Sequence, residues 1–141
     1  METRRYTSIQ AFNELGMSEF WLHSIDYAHE GPFQNAIFLA SRGYMEYFGA
    51  EIKFIEIEYI ASARFFTYGE LCQVSVREFP LAREYPGCKI YCFEEQNSPP
   101  DETPVRHYVV ARAVEITVHY AGENVETVFE RSDRIESGEN A

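Results

Sequence analysis

No stretch of the chain approaches the roughly 20 apolar residues needed to cross a bilayer, and the opening METRRYTSIQ lacks the apolar core of a secretory signal. A cytoplasmic protein that engages no membrane is the expectation. Cysteine is sparse. Cys72, Cys88 and Cys92 make an odd set that does not read as a secreted disulfide framework, so reduced thiols are expected. Aspartate is confined to Asp26, Asp101 and Asp133, which removes the closely spaced Asp, Asn and Gly of looped calcium sites. A Gly-rich phosphate loop, a Gly-x-Ser-x-Gly elbow, a kinase signature and a His-Glu-x-x-His zinc motif are all missing, so no catalytic residue, metal ligand or cofactor is assigned.

What is present is aromatic and acidic. The chain has 141 residues, 45% of them apolar, with eleven Phe and ten Tyr, which is enough for one buried core. The expected organisation is a flexible N-terminus over 1–7, a single β-rich domain over 8–130 and a flexible tail over 131–141. The formal charge of −11 repels nucleic acid and anionic membrane and favours a basic partner.

A short helix is expected from Ser8 to Leu15, capped by Thr7 or Ser8 and ended by Gly16. From Ser18 onward the period shortens to two, and aromatic and β-branched residues replace helix formers. In Lys53 to Ile60, alternation puts Ile55, Ile57 and Tyr59 on one face and Glu56 and Glu58 on the other. In Val114 to Tyr120 the four apolar residues share a face opposite Glu115. Less regular strand candidates are Phe20–Ala28, Ala36–Ala40, Tyr44–Phe48, Cys72–Phe79, Lys89–Phe93 and Val125–Phe129. The acidic, proline-rich stretch Glu94–Pro104 reads as an exposed loop. The pattern points to a mainly β chain: an antiparallel sandwich or partly open barrel of about eight short strands, with one short N-terminal helix.

Several constellations invite chemistry. His23 and His29 on one unbroken strand would be about 20 Å apart, too far to share a metal; His107 and His119 read as structural. Cys88 and Cys92, three residues apart, read as packed small side chains, and Cys72 approaches them only if its strand neighbours theirs. Glu56, Glu58 and Glu115 could line one sheet face as paired carboxylates, although alternating Glu also keeps a strand face soluble. Tyr44, Tyr47 and Tyr68 belong to an aromatic stretch of the kind enriched at interfaces. Together Glu56, Glu58, Glu115, Tyr44, Tyr47 and Tyr68 are the candidate binding residues.

The order of Leu22-His23-Ser24-Ile25, then Glu51-Ile52-Lys53-Phe54-Ile55-Glu56-Ile57, then Ala113-Val114-Glu115-Ile116 resembles small β-rich immunity proteins of bacterial toxin systems. Ser24 stands where that family's pattern has Asp. The resemblance implies a cytosolic, non-enzymatic protein that binds and neutralises a toxin domain. The leading expectation is an acidic protein-binding module for a basic partner. Two alternatives stand beside it: a small ligand-binding or hydrolytic β-barrel, and an acidic calcium-binding protein. An exposed edge strand would equally serve a homodimer.

Overall fold

The computed structural model describes residues 8–27, 34–42, 49–120 and 124–131. Runs of β-branched and aromatic residues form β1 (Glu19–Tyr27), β2 (Gln34–Ser41), β3 (Ala50–Ala61), β4 (Phe65–Thr67), β5 (Gly69–Val74), β6 (Lys89–Glu95), β7 (Arg106–Tyr120) and β8 (Asn124–Arg131). Among the described residues the helical segments are a six-residue turn, α1 (Ser8–Asn13), and a five-residue 3-10 segment over Pro80–Glu84. The chain is mainly β, and every strand pairing is antiparallel. The strand candidate Tyr44–Phe48 lies outside the described residues, as do 1–7 and, beyond Arg131, the tail.

The strands belong to one sheet that runs β4-β1-β2-β3-β7-β6-β5, with β8 pairing to β7 off that path. The two ends of the path are consecutive in the chain, separated by Tyr68 alone. The sheet therefore curls back on itself as a half-barrel, β4 lying against β1 and β5 against β6. Tyr68 makes the corner at φ 50°, the left-handed region that costs an L residue about 1–2 kcal/mol. Backbone bonds hold it there: its N–H donates to the Ser18 carbonyl at 2.8 Å, and its carbonyl accepts from Gln96 N–H at 2.9 Å.

Phenylalanines fill the concave face. The Phe93 ring lies 5.1 Å from Phe38, 5.3 Å from Phe66, 5.5 Å from Phe20 and 5.9 Å from Phe54, so one residue of β6 ties β1, β2, β3 and β4 together across the curl. Phe12 of α1 meets Phe20 edge-on at 6.0 Å and closes one end.

The inner face of β3 differs from simple alternation. Ala50, Ile52 and Phe54 point into the core, but the next inward residues are Ile57 and Ile60, not Ile55 and Tyr59. Two irregularities cause this. Glu56 adopts φ 56°, and a register shift falls between Ile57 and Tyr59. Since one extra residue flips every later side chain to the other face, the expected grouping of Ile55, Ile57 and Tyr59 is corrected. β7 breaks phase at the same height, stepping from Ala111 to Val114 inside the core. There it also exchanges neighbours, β6 ending at Lys89 opposite Ala111 and β8 ending at Arg131 opposite Ala113.

The expected strand Cys72–Phe79 is also corrected: β5 is Gly69–Val74, and the chain beyond it folds back over the convex face. A second apolar cluster forms there from Ala82, Ile90 and Val110, with Tyr59, Phe79, Tyr85 and Tyr108 packed around it. β6 is thus covered on both faces, and its Ile90, Tyr91, Cys92 and Phe93 are consecutively buried. The free edge of β5 is met by a side chain. Asn13 Nδ2 donates to the Leu71 carbonyl at 2.7 Å, and Leu71 N–H donates to Asn13 Oδ1 at 2.9 Å, as a neighbouring strand would.

Candidate functional site

The register of β5, β6 and β7 sets polar side chains in rows on the convex face. Glu70, Glu94 and Arg106 form one row; Cys72, Cys92 and Tyr108 form the next. The stretch after β5 brings Glu78 over both. Arg106 Nε donates to Glu94 Oε2 at 2.8 Å, its Nη1 donates to Glu78 Oε2 at 2.9 Å, and Tyr108 O–H donates to the same Glu78 oxygen at 3.0 Å. Phe79 stacks on Tyr108 at 4.7 Å and also meets Tyr59 at 5.4 Å, which fixes the segment that carries Glu78.

Electrostatics follow from these contacts. The Arg106 bonds hold the Glu94 carboxyl below the usual carboxylate range, and Glu94 and Tyr108 in turn raise the Arg106 guanidinium. Burial, then the bond to Glu78, raises the Tyr108 phenol. Cys72 and Cys92 are register partners; the Cys92 thiol beside it lowers the Cys72 thiol, and Cys72, with burial, raises that of Cys92. Cys88 stands apart, raised by burial and by the field of Glu58. Cys72 and Cys92 do therefore lie on neighbouring strands, which spacing alone left open.

A second polar group closes the curl on the other side of β6. His107 is 4% exposed and stacks on Phe66 at 4.0 Å. Ala63 N–H donates to its Nδ1 at 3.1 Å, so that nitrogen is an acceptor, and Nε2–H donates to Glu95 Oε2 at 2.8 Å. The imidazole is locked in one tautomer between backbone and carboxylate, and it ties the Ala63 turn to β6 and β7.

The candidate binding residues divide. Glu56 lies 3.5 Å from Arg112 Nε, at the height where β3 and β7 break phase. Glu58 is exposed, and Glu115 is half-exposed opposite Lys53. All three are on the convex side of the β3–β7 pair. Tyr68 is elsewhere, 53% exposed at the β4–β5 corner, and lines a shallow depression of about 330 Å³ with Phe12, Asn13 and Gln96. Tyr44 and Tyr47 lie outside the described residues.

Reading the sequence did not single out Glu78, Arg106 or Tyr108, and it placed Glu94 at the start of the exposed loop Glu94–Pro104, whereas β6 runs through Glu95. Their proximity depends on the register across the 96–105 connection and on the fold-back after β5, and neither leaves a spacing signature. The one available signal was opposite charge flanking a hairpin, Glu94 before the loop and Arg106 after it.

Among the described residues, no group of three or more His, Cys, Asp or Glu side chains is placed to hold a metal ion, and no helix is long and apolar enough to cross a membrane. No protein-family model, curated protein or solved structure matches the chain.

Proposed function

We propose that the protein is a non-enzymatic, acidic protein-binding module that uses the convex face over β3 and β7 to engage a basic protein partner, as an immunity or inhibitor protein does. One observation carries the reading: acids and half-buried apolar side chains share that face. Because Ile52 and Phe54 point inward, Glu51, Lys53 and Ile55 point outward, beside Ile37 and Leu39 of β2. Glu51 is flanked in register by Leu39 and Thr117, and Glu58 is exposed. Apolar side chains interspersed with acids, Glu51, Glu56, Glu58 and Glu115 against the bases Lys53 and Arg112, suit a partner-binding surface, and the overall charge of −11 adds long-range attraction for a basic protein. The frame for this reading is a partly open barrel of about eight strands with the N-terminal helical segment against one end.

The test pairs Glu51→Lys with Glu58→Lys and leaves the Glu56–Arg112 contact intact. A partner captured from the native host is purified, and its affinity is measured by calorimetry at low and high salt. At least tenfold weaker binding and a flatter salt dependence are expected for the double variant. Equal affinity at both ionic strengths, unchanged by the substitutions, would sink the proposal.

A second reading, a small-molecule-binding barrel, has the depression beneath α1 in its favour, since about 330 Å³ lies within the range of roughly 300–1,000 Å³ for ligand pockets. A fragment screen by NMR that shifts the resonances of Phe12, Tyr68 and Gln96 together would support it. Shifts scattered over the surface would count against it.

A further inference from the structure

We infer that Cys72 and Cys92 form a reactive dithiol that exchanges with low-molecular-weight disulfides and closes a cross-strand bond between β5 and β6. The two residues are direct partners in the β5–β6 register. Their pair type follows from the backbone: Gln96 N–H donates to the Tyr68 carbonyl one end of the ladder, while both backbone groups of Leu71 turn away to Asn13. Pairs alternate along an antiparallel ladder, so 68/96, 70/94 and 72/92 are the hydrogen-bonded ones. Such pairs have Cα atoms about 5.5 Å apart, inside the window of roughly 4.4–6.8 Å that a disulfide spans, but their β-carbons stand toward the wide end of about 4.5–5.5 Å, against the roughly 3.5–4.5 Å of a relaxed disulfide, so the bond formed is strained and readily reduced. Each thiol lies near enough to bias the ionisation of the other, and both are free.

The surroundings divide the labour. Cys72 is half-exposed on β5, which ends the sheet path, and the neighbouring Cys92 thiol favours its thiolate, opposed by partial burial and by Glu94, Glu78 and Glu70. Cys92 is fully buried beneath the fold-back, so external reagents meet Cys72 first. In the first step the Cys72 thiolate attacks one sulfur of the small disulfide, forming a mixed disulfide and releasing one small thiolate, which takes up a proton. Cys92 then attacks Cys72 Sγ, its proton passing to the small thiolate that it displaces, which departs as the second small thiol. Two protein thiols are oxidised, one small disulfide is reduced to two small thiols, and the protein leaves two hydrogens lighter. Cys88 is the internal control: it precedes β6, and no register partner sets a thiol opposite it.

The experiment incubates the reduced 141-residue protein with oxidised glutathione at mildly alkaline pH, followed by intact mass, alkylation in denaturant and peptide mapping. The expected product is a monomer two hydrogens lighter, with Cys72 linked to Cys92, Cys88 alkylated and full reversal by dithiothreitol. Cys88→Ser should behave identically, Cys92→Ser should stop as the glutathione adduct of Cys72, and Cys72→Ser should leave Cys92 unmodified in the folded protein. A linkage through Cys88, a lasting adduct on the wild-type Cys72, modification of Cys92 in Cys72→Ser, or no reaction while a small reference thiol is consumed would each overturn the inference.

Discussion

Gly69 shows how little room the corner leaves. A β-carbon there would stand 2.8 Å from Cε2 of Phe66. That ring has nowhere to retreat, because it stacks on Phe20 at 5.2 Å and on His107 at 4.0 Å and meets Phe93 at 5.3 Å. Gly69→Ala is therefore expected to cost about 1–3 kcal/mol of unfolding free energy, measured by urea denaturation. Nothing adjacent in sequence marks this glycine as a packing position rather than a turn, since its constraint is a ring brought in by strand pairing. Arg106 makes a prediction of the opposite kind. Its bonds depress Glu94, so the associated stability is fully present above the ordinary carboxylate pKa of about 4.3 and is lost as pH falls through the lower folded value. Arg106→Gln should destabilise at neutral pH and not below that window, flattening the acid limb of a stability profile. The pair is well solvated, so the difference should be only about 0–1 kcal/mol.

At the level of elements, Asn13 does the work of a strand for the open edge of β5. Asn13→Ala removes both bonds to Leu71 and is expected to cost about 1–3 kcal/mol, from two part-buried hydrogen bonds of roughly 0.5–1.5 kcal/mol each. Hydrogen exchange should report it locally, the Leu71 amide losing protection far more than that of Tyr91. Strands were legible where one face meets solvent: Ile52 to Ile57 and Val114 to Val118 carry visible patterning. Facing was not legible past Glu56, because a positive φ at glutamate has no sequence signal of the kind that glycine gives. The first half of β7, from Arg106 to Ala113, was missed for a different reason. Val109, Val110 and Ala111 are consecutively buried, one side by the core and the other by the fold-back, and a strand covered on both sides does not alternate. The site over β5 to β7 was invisible for that reason too, since it depends on what lies above the sheet.

For the whole molecule, the charge of −11 opposes compaction, and salt shortens the reach of that repulsion to about 10 Å at 0.1 M. Raising ionic strength is expected to lift the thermal midpoint of the isolated protein by a few degrees while weakening its complex with a basic partner, a reversal that calorimetry on the two samples would reveal. Composition alone disclosed this balance, and period-two alternation the mainly β class, whereas the curl was hidden because β4 and β5 are too short to announce that one segment serves both ends of the sheet. That arrangement governs how the chain is made. During synthesis β1, β2 and β3 emerge first, and the partners that complete their surroundings, Phe93 and β7, follow only after the fold-back has been translated. Until then Phe20, Phe38 and Phe54 face the ribosome's surroundings uncovered, so the nascent chain spends much of its elongation as an adhesive half-sheet, the stage at which a chaperone would find most to hold.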